Sequence, residues 1–335
     1  MRKGLKAAEY LLNLASFYLR YLRRPAAVIH YQWLPFLEVW PALELAHLRW
    51  AQSQGARIVH TVHNILPHDT GRTHEAAYRE AYRLADGLIC HTRETRRTLI
   101  DHFDVASSSI TVIPHGVLTR RDWSGTRHEA RQRIQATDEE TVVLFFGRIR
   151  KYKGCRFLLN AWKQLADQTD NARLILAGSG PADLLDDIRQ QIATLGLEAS
   201  VETHLYFVPD DELALLVEAA DVLVYPYKAI TQSGALLLGM QSETAIVATQ
   251  VGGIAETLRD DATGLLVEYG DEDALAGALA ALVSDPARRS QLARRAKHDA
   301  ETAFAWDTIA EQTLRWYAEV CRPNVAERPQ KHAAE

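Results

Sequence analysis

The chain has 335 residues, with 38 Lys and Arg against 43 Asp and Glu for a net charge of −5, and is 47% hydrophobic and 24% charged. At about 100–200 residues per domain, this length predicts two domains, each large enough to bury a core without staples. Fibrous, disordered and disulfide-scaffold classes are excluded, and the negative balance argues against a nucleic-acid binder, whose phosphate contacts need surplus Lys and Arg.

Cys90, Cys155 and Cys321 lie far apart, with no CxxC or Cys/His spacing, so neither a disulfide framework nor a structural zinc site is indicated and the cytoplasm is the expected compartment. No run approaches about 18 consecutive apolar residues, and no small-residue cleavage site follows a short apolar core near the N-terminus, so neither a spanning helix nor a secretion signal is expected. Residues 1–24 instead bracket Leu11, Leu12, Leu14, Phe17, Tyr18, Leu19, Tyr21 and Leu22 with Arg2, Lys3, Lys6, Arg20, Arg23 and Arg24. Such a basic, aromatic-rich helix either packs on a core or rests on an anionic membrane.

Alternating β and α signals follow. Short apolar runs at Ala27–Tyr31, Ile58–Val62, Gly87–Cys90 and Ile110–Ile113 are separated by helical periodicity at Trp40–Gln54 and His74–Ala85. Such alternation predicts a parallel sheet covered by helices. Polar composition over Asp122–Glu140 marks the domain boundary, placing an N-terminal domain at 1–125. A second series has strands at Thr141–Phe146, Arg173–Ala177, Val201–Leu205, Val222–Tyr225, Ala245–Thr249 and Gly264–Val267. Its helices are predicted at Cys155–Gln168, Ala182–Leu195, Asp211–Ala219 and Gly234–Gln241. Asp271, Asp285 and Asp307 stand near later helix starts, and 322–335 reads as a disordered tail. The fold class is therefore α/β: two Rossmann-like, doubly wound domains, expected to face a cleft at the carboxyl ends of their sheets.

The segment with the most chemistry is Gly147-Arg148-Ile-Arg150-Lys151-Tyr-Lys153-Gly154, where a strand runs into a glycine turn, a cationic loop and a helix. A strand end followed by a helix N-terminus favours anions, and Arg148 with Lys153 would clamp a diphosphate. No Gly-Lys-Ser/Thr follows, and Gly178-Ser-Gly180-Pro181 lacks the third glycine of a dinucleotide fingerprint, so P-loop and NAD readings recede.

These residues resemble a known family. Gly147-Arg148 with Lys153-Gly154, Leu176-Ala-Gly178-Ser-Gly180-Pro181, Phe207-Val-Pro209, Ala220-Asp221-Val222 with Tyr225-Pro226-Tyr227, and Val247-Ala-Thr249 with Val251-Gly252-Gly253-Ile254-Ala255-Glu256 are similar, in order and spacing, to GT-B glycosyltransferases of family 4. Upstream, His60-Thr61-Val62-His63-Asn64 and Ile113-Pro114-His115-Gly116 resemble that family's N-domain motifs. The resemblance implies a nucleotide-sugar donor, retention of anomeric configuration and no essential metal or other cofactor. It makes 126–302 the donor domain and 303–321, with Phe304-Ala-Trp306-Asp307, a helix crossing back to the N-domain.

By that resemblance Arg148 and Lys153 hold the donor diphosphate and stabilise it as leaving group. Gly147, Gly178 and Gly180 let the nucleotide approach the backbone, and Phe207 and Val208 form the loop that reads the base. Ser233, Gly234 and Ala235 supply donors at a helix start. His63 is the active-site histidine, with His30, Asn64, His68 and His115 as acceptor-side candidates. Ten of the thirteen histidines precede residue 130, several beside strand ends. Residues 60 and 63 would point to opposite faces and cannot share an ion, while Asp271-Glu272-Asp273 opens a helix and reads as a cap, so no metal site is expected.

The chain departs from the family twice. Many members carry two glutamates eight positions apart where this chain has Ile230 or Thr231 and Leu238 or Gly239. The first strand and glycine-rich loop of the family are replaced by a helix, so the N-domain is expected to be shortened. The implied activity is transfer of a hexose from a GDP- or UDP-sugar to a glycan or lipid-linked acceptor in surface polysaccharide assembly, at the inner face of the membrane. The missing carboxylates keep open a nucleotide-sugar-binding subunit without turnover. A nucleotide-sugar epimerase would need proton-abstracting carboxylates that the sequence does not place.

Overall fold

The computed structural model describes residues 2–67, 71–117 and 123–322, with side chains described from Glu9 onward. It divides into two compact units, 1–113 with 311–335, and 114–310. The division therefore falls between Ile113 and Pro114, ahead of the polar stretch where the sequence placed it.

In the first unit, helix α1 (Arg2–Arg23) leads into strand β1 (Val28–Tyr31), helix α2 (Pro41–Ser53), β2 (Arg57–Val62), α3 (Glu75–Leu84), β3 (Gly87–Cys90), α4 (Arg93–Asp101) and β4 (Ile110–Val112). The strands pair in parallel in the order β1-β2-β3-β4. Ile58 and Val62 enter the core on one face of β2, and Thr61 on the other face bonds His30.

Helix α1 is not a free amphipathic helix, because its aromatic face is docked. The Tyr10 hydroxyl donates to the buried Glu44 carboxylate at 2.9 Å, the Tyr18 hydroxyl lies 3.0 Å from His47 Nδ1, and Phe17, Tyr18 and Tyr21 ring Trp50. Its opposite face leaves Leu11, Leu12, Leu19 and Leu22 exposed beside Arg20, Arg23 and Arg24. No described helix is long and apolar enough to cross a membrane.

The second unit runs through α5 (Arg127–Arg133), β5 (Thr141–Phe146), α6 (Cys155–Ala166), β6 (Ala172–Ala177), α7 (Ala182–Leu195), β7 (Val201–His204), α8 (Asp210–Ala219), β8 (Val222–Tyr225), α9 (Gly234–Gln241), β9 (Ala245–Thr249), α10 (Gly252–Thr257), β10 (Leu265–Val267), α11 (Glu272–Ser284) and α12 (Pro286–Thr302). All six strands are parallel, in the order β10-β9-β8-β5-β6-β7. Counted within this unit, that is the 3-2-1-4-5-6 order of dinucleotide-binding sheets, whose direction reverses between β5 and β8. Strands β5, β8 and β9 are buried along their whole length, as helices on both faces require.

The polar stretch 122–140 contains α5, which the sequence reading left as linker. Thr126 and Glu129 form a capping box, and Arg131 turns inward to the Asp221 carboxylate at 3.0 Å and to the Ala219 carbonyl. Asp271 and Asp285 cap α11 and α12 as expected. The last helix, α13 (Trp306–Val320), begins in the second unit and ends in the first, and Asp307 stands inside its first turn rather than at its cap. The tail beyond Arg322 lies outside the described residues.

Candidate functional site

In the second unit the sequence motifs converge at the carboxyl ends of β5 and β8, the point where strand order reverses and such sheets bind ligands. Backbone contacts make the convergence. Gly147 follows β5 at φ +114 with open space where a side chain would stand. Gly178 follows β6 at φ +150, and a Cβ there would lie 1.9 Å from the Gly147 carbonyl. Gly154, at φ +72, caps α6 against β8, where a Cβ would meet the Pro226 carbonyl at 1.8 Å. Only glycine fits at 154 and 178. The Ile149 amide donates to the Ser179 carbonyl at 2.8 Å, and the Lys228 amide to the Tyr152 carbonyl at 2.7 Å, which fixes the cationic loop between the two turns.

Two cations differ sharply there. Arg148 is exposed, whereas Lys153 is buried, and neither forms an ion pair among the described residues. Lys153 Nζ stands 3.8 Å from the centroid of the Tyr227 ring and 5.7 Å from that of Tyr152. Burial pushes the Lys153 ammonium down to about 8, and Cys155 beside it up to about 12. The aromatic faces offset part of the desolvation, but they are no counter-ion. The Tyr227 hydroxyl is itself buried without a partner at bonding distance, with Ser233 beside it. A buried cation without a carboxylate partner and a buried hydroxyl meet at this strand end.

Ser233 caps α9, its hydroxyl oxygen accepting from the Leu236 amide at 3.2 Å. The amides of Gly234 and Ala235 at the helix start point away from the helix's own ladder. Phe207 is 76% exposed just beyond β7, with Val208 half-buried beside it, and the Gly178 amide ties that strand end to the glycine turn through the His204 carbonyl. His204 is gripped by Glu202 at 2.7 Å and Glu212 at 3.0 Å, which hold its imidazole above the usual range.

The positions where the family carries its second glutamate are structurally occupied. A Cβ at Gly239 would lie 2.3 Å from the Tyr225 hydroxyl, which donates to the Ala235 carbonyl, and Leu238 packs against the core. Tyr225 fills the room that a longer side chain at 239 would need.

In the first unit the strand-end histidines form a connected row. His63, just past β2, places Nε2 3.0 Å from the Gln32 side chain and Nδ1 3.1 Å from His91 Nε2. His91 Nδ1 reaches the Ile113 carbonyl at 2.9 Å. Gln32 also meets His30, which lies 2.7 Å from Thr61 and 2.6 Å from the Tyr317 hydroxyl. Trp33 stacks on the His63 ring at 4.6 Å and 17° while remaining 61% exposed. Burial holds His30 below the usual histidine range and His60 down to about 3. Asn64 follows His63, half-buried, and His68 lies outside the described residues. His115 belongs to the second unit, where it packs edge-on against Trp306 at 5.9 Å and bonds the Gly116 carbonyl.

Sequence reasoning missed Gln32, Trp33, His91 and Tyr317, and gave Tyr227 no role beyond its place in the Tyr225-Pro226-Tyr227 motif. The strand-end logic applied to His63 would have found His91, which stands one residue past β3. Nothing in the spacing announces Tyr317, 287 residues from its partner.

Residues 140–285 match the model described as glycosyl transferases group 1, and residues 5–121 the model for glycosyltransferase family 4. The D-inositol 3-phosphate glycosyltransferase of Rhodococcus opacus is 30% identical over 94% of this chain and 74% of its own length. Among solved structures, Anabaena HepE in complex with UDP superposes with a TM-score of 0.75 at 19% identity, covering 91% of this chain and 81% of that one. Sucrose-phosphate synthase from Thermosynechococcus elongatus gives a TM-score of 0.71 at 22% identity over 92% of this chain and 77% of its own. The two parallel-sheet units thus have the GT-B fold, and the chain belongs to the group 1, family 4 glycosyltransferases.

Proposed function

We propose that this glycosyltransferase moves a hexose from a UDP- or GDP-sugar to a glycan or lipid-linked acceptor, with retention of configuration and without an essential metal. The observation that carries the donor half is Lys153: a buried ammonium with no carboxylate partner, at the strand-order reversal, between glycines that admit no side chain. A diphosphate supplies the missing counter-charge. HepE, solved with UDP and with UDP-glucose, supports a uridine nucleotide as the first donor to try.

In the proposed reaction the bond from the sugar's anomeric carbon to the diphosphate oxygen breaks and the bond to the acceptor oxygen forms, the acceptor proton passing to the departing diphosphate. Negative charge grows on the phosphate oxygens, so Lys153 and Arg148 act most strongly on the transition state. Gly147, Gly178 and Gly180 give the diphosphate access to the backbone, with Ser233 and the amides of Gly234 and Ala235 as further donors. Exposed Phe207 and neighbouring Val208 flank the nucleobase. His63 meets a sugar hydroxyl, with His30, Asn64, His68 and His115 on the acceptor side.

The exposed leucines of α1 beside Arg20, Arg23 and Arg24 support attachment to an anionic membrane face, where lipid-linked acceptors of surface polysaccharides reside. Liposome co-sedimentation that is no better with anionic lipid removes that element. A second reading, a donor-binding subunit without turnover, is favoured by the packed Gly239 and Leu238 where the family's carboxylate stands. A panel of UDP- and GDP-hexoses, scored for thermal shift and for sugar release, separates the two. The transferase reading expects both signals with one donor, stabilisation without release supports the binding subunit, and no stabilisation by any nucleotide rejects the donor site.

A further inference from the structure

Tyr227 stands two residues beyond β8, fully buried, with its backbone and ring fixed by named neighbours. Its carbonyl accepts from the Thr249 hydroxyl at 2.6 Å, the next amide, of Lys228, is held by the Tyr152 carbonyl, and Tyr225 packs edge-on against the ring at 5.8 Å. Lys153 Nζ lies over the ring, 3.8 Å from its centroid. The hydroxyl is the exception, since it is shut away from water and forms no hydrogen bond within the protein. Ser233 is beside it, but the Ser233 oxygen already accepts from the Leu236 amide at 3.2 Å, and the two hydroxyls do not meet at bonding geometry. Leaving a buried hydroxyl unbonded is unfavourable, and a phenylalanine would fill the same volume without that penalty.

The surroundings of that hydroxyl are rich in donors and poor in acceptors. Lys153 carries its charge over the same ring, and Ser233 caps α9, which opens with the amides of Gly234 and Ala235. No carboxylate is among the groups that act on Tyr227, and burial pushes its pKa up, so the hydroxyl stays protonated and able to donate. The positions where the family carries glutamates supply no acceptor either, being Ile230 or Thr231 and Leu238 or Gly239. An ammonium, a phenol and a helix N-terminus side by side call for a ligand that only accepts and carries negative charge, which describes a phosphate oxygen. A sugar hydroxyl would leave the ammonium without a counter-charge.

We propose that Tyr227 is a donor-binding residue: its hydroxyl donates a hydrogen bond to a phosphate oxygen of the nucleotide-sugar diphosphate, beside the Lys153 ammonium. This rests on the donor site proposed above. One side chain then does two things, its ring face holding the lysine and its hydroxyl adding a neutral donor to the same ligand. Because Thr249, Tyr225 and Lys153 fix the residue before any ligand arrives, little ordering is left to binding.

Tyr227→Phe keeps the ring under Lys153 and removes only the oxygen. Titration calorimetry with UDP and with GDP on wild type, Tyr227→Phe and Lys153→Met, alongside thermal melting of the ligand-free proteins, tests the contact. Tyr227→Phe should bind the preferred nucleotide at least about tenfold more weakly, as loss of a hydrogen bond to a charged group requires. It should melt no lower than wild type, because the lost hydroxyl had no protein partner. Affinity equal to wild type overturns the proposal. So does a clearly lower melting temperature, which would mean that the hydroxyl is committed to Ser233. If Lys153→Met weakens binding and Tyr227→Phe does not, only the tyrosine contact falls, whereas a wild type that binds neither nucleotide removes the donor site and the contact with it.

Discussion

The two units solve the same problem with different materials. The second builds its candidate site from backbone: glycines at 154 and 178 whose neighbours exclude any Cβ, and a loop pinned by main-chain bonds, around one buried cation. The first builds its candidate site from side chains: three imidazoles, an amide, an indole and a tyrosine hydroxyl in one row, above an interior that also buries Glu44, His47 and His60. A backbone site leaves spaced glycines in the sequence, whereas a side-chain network leaves residues scattered along it. The contrast extends to pH, because the first unit buries neutral histidines while the second holds His204 between two carboxylates.

The largest expected effect breaks the contrast at its strongest point. Lys153→Met should lower turnover by about 100-fold or more, since a preorganised cation at developing charge contributes several kcal/mol. It should nevertheless melt no lower than wild type, because it removes a buried charge without a counter-ion. Arg148→Ala, at an exposed position, should lower turnover and leave the melting temperature unmoved. Calorimetric melting alongside steady-state rates checks both, and a Lys153→Met protein that melts well below wild type contradicts the unpaired-cation account.

Acid should find the first unit before the second. His60 and His47 are held neutral, down to about 3 and about 4, by burial, below their unfolded value near 6.5. The unfolded chain therefore binds more protons as pH falls through 6.5, and stability declines toward pH 4 by about 1.4 kcal/mol per pH unit for each fully shifted group. His204 has the opposite sign: its raised folded value gives stability that is present below the unfolded value and lost as pH rises through the folded one. Hydrogen exchange at pH 7 and pH 5 should show protection lost first in β1–β4, and equal loss in both sheets contradicts the assignment.

Donor affinity sharpens the comparison from the other side. Lys153 is protonated below about 8, and an anion binds that form, so nucleotide affinity should fall as pH rises through 8, approaching tenfold per unit above it. Lys153→Arg stays charged and should flatten the slope in titration calorimetry. Smaller still, Gly239→Glu should restore no carboxylate function and should cost about 1–3 kcal/mol in chemical denaturation, because its Cβ meets the Tyr225 hydroxyl.

The asymmetry between the units also explains what the sequence made legible. Buried parallel strands read as apolar runs, so all ten were placed to within a residue or two, and Gly147, Gly178 and Lys153 emerged together because the turn chemistry is local. Helix α5 was missed although Thr126 and Glu129 spell a capping box, because its apolar stripe is replaced by Arg127 and Arg131 reaching Asp221. The docking of α1 through Tyr10 and Glu44 could not be read, since those residues are 34 apart and Glu44 looks like an ordinary surface acid on a helix. The same holds for His91 and Tyr317, whose meaning depends on which partner the fold brings to them.

The measurement closest to the central claim is the affinity of UDP and GDP for wild type and Lys153→Met by titration calorimetry at pH 7. The account predicts that wild type binds one of the two and that Lys153→Met, still folded, binds it at least about 100-fold more weakly. Equal affinity in the two proteins would show that the buried lysine does not face the donor diphosphate.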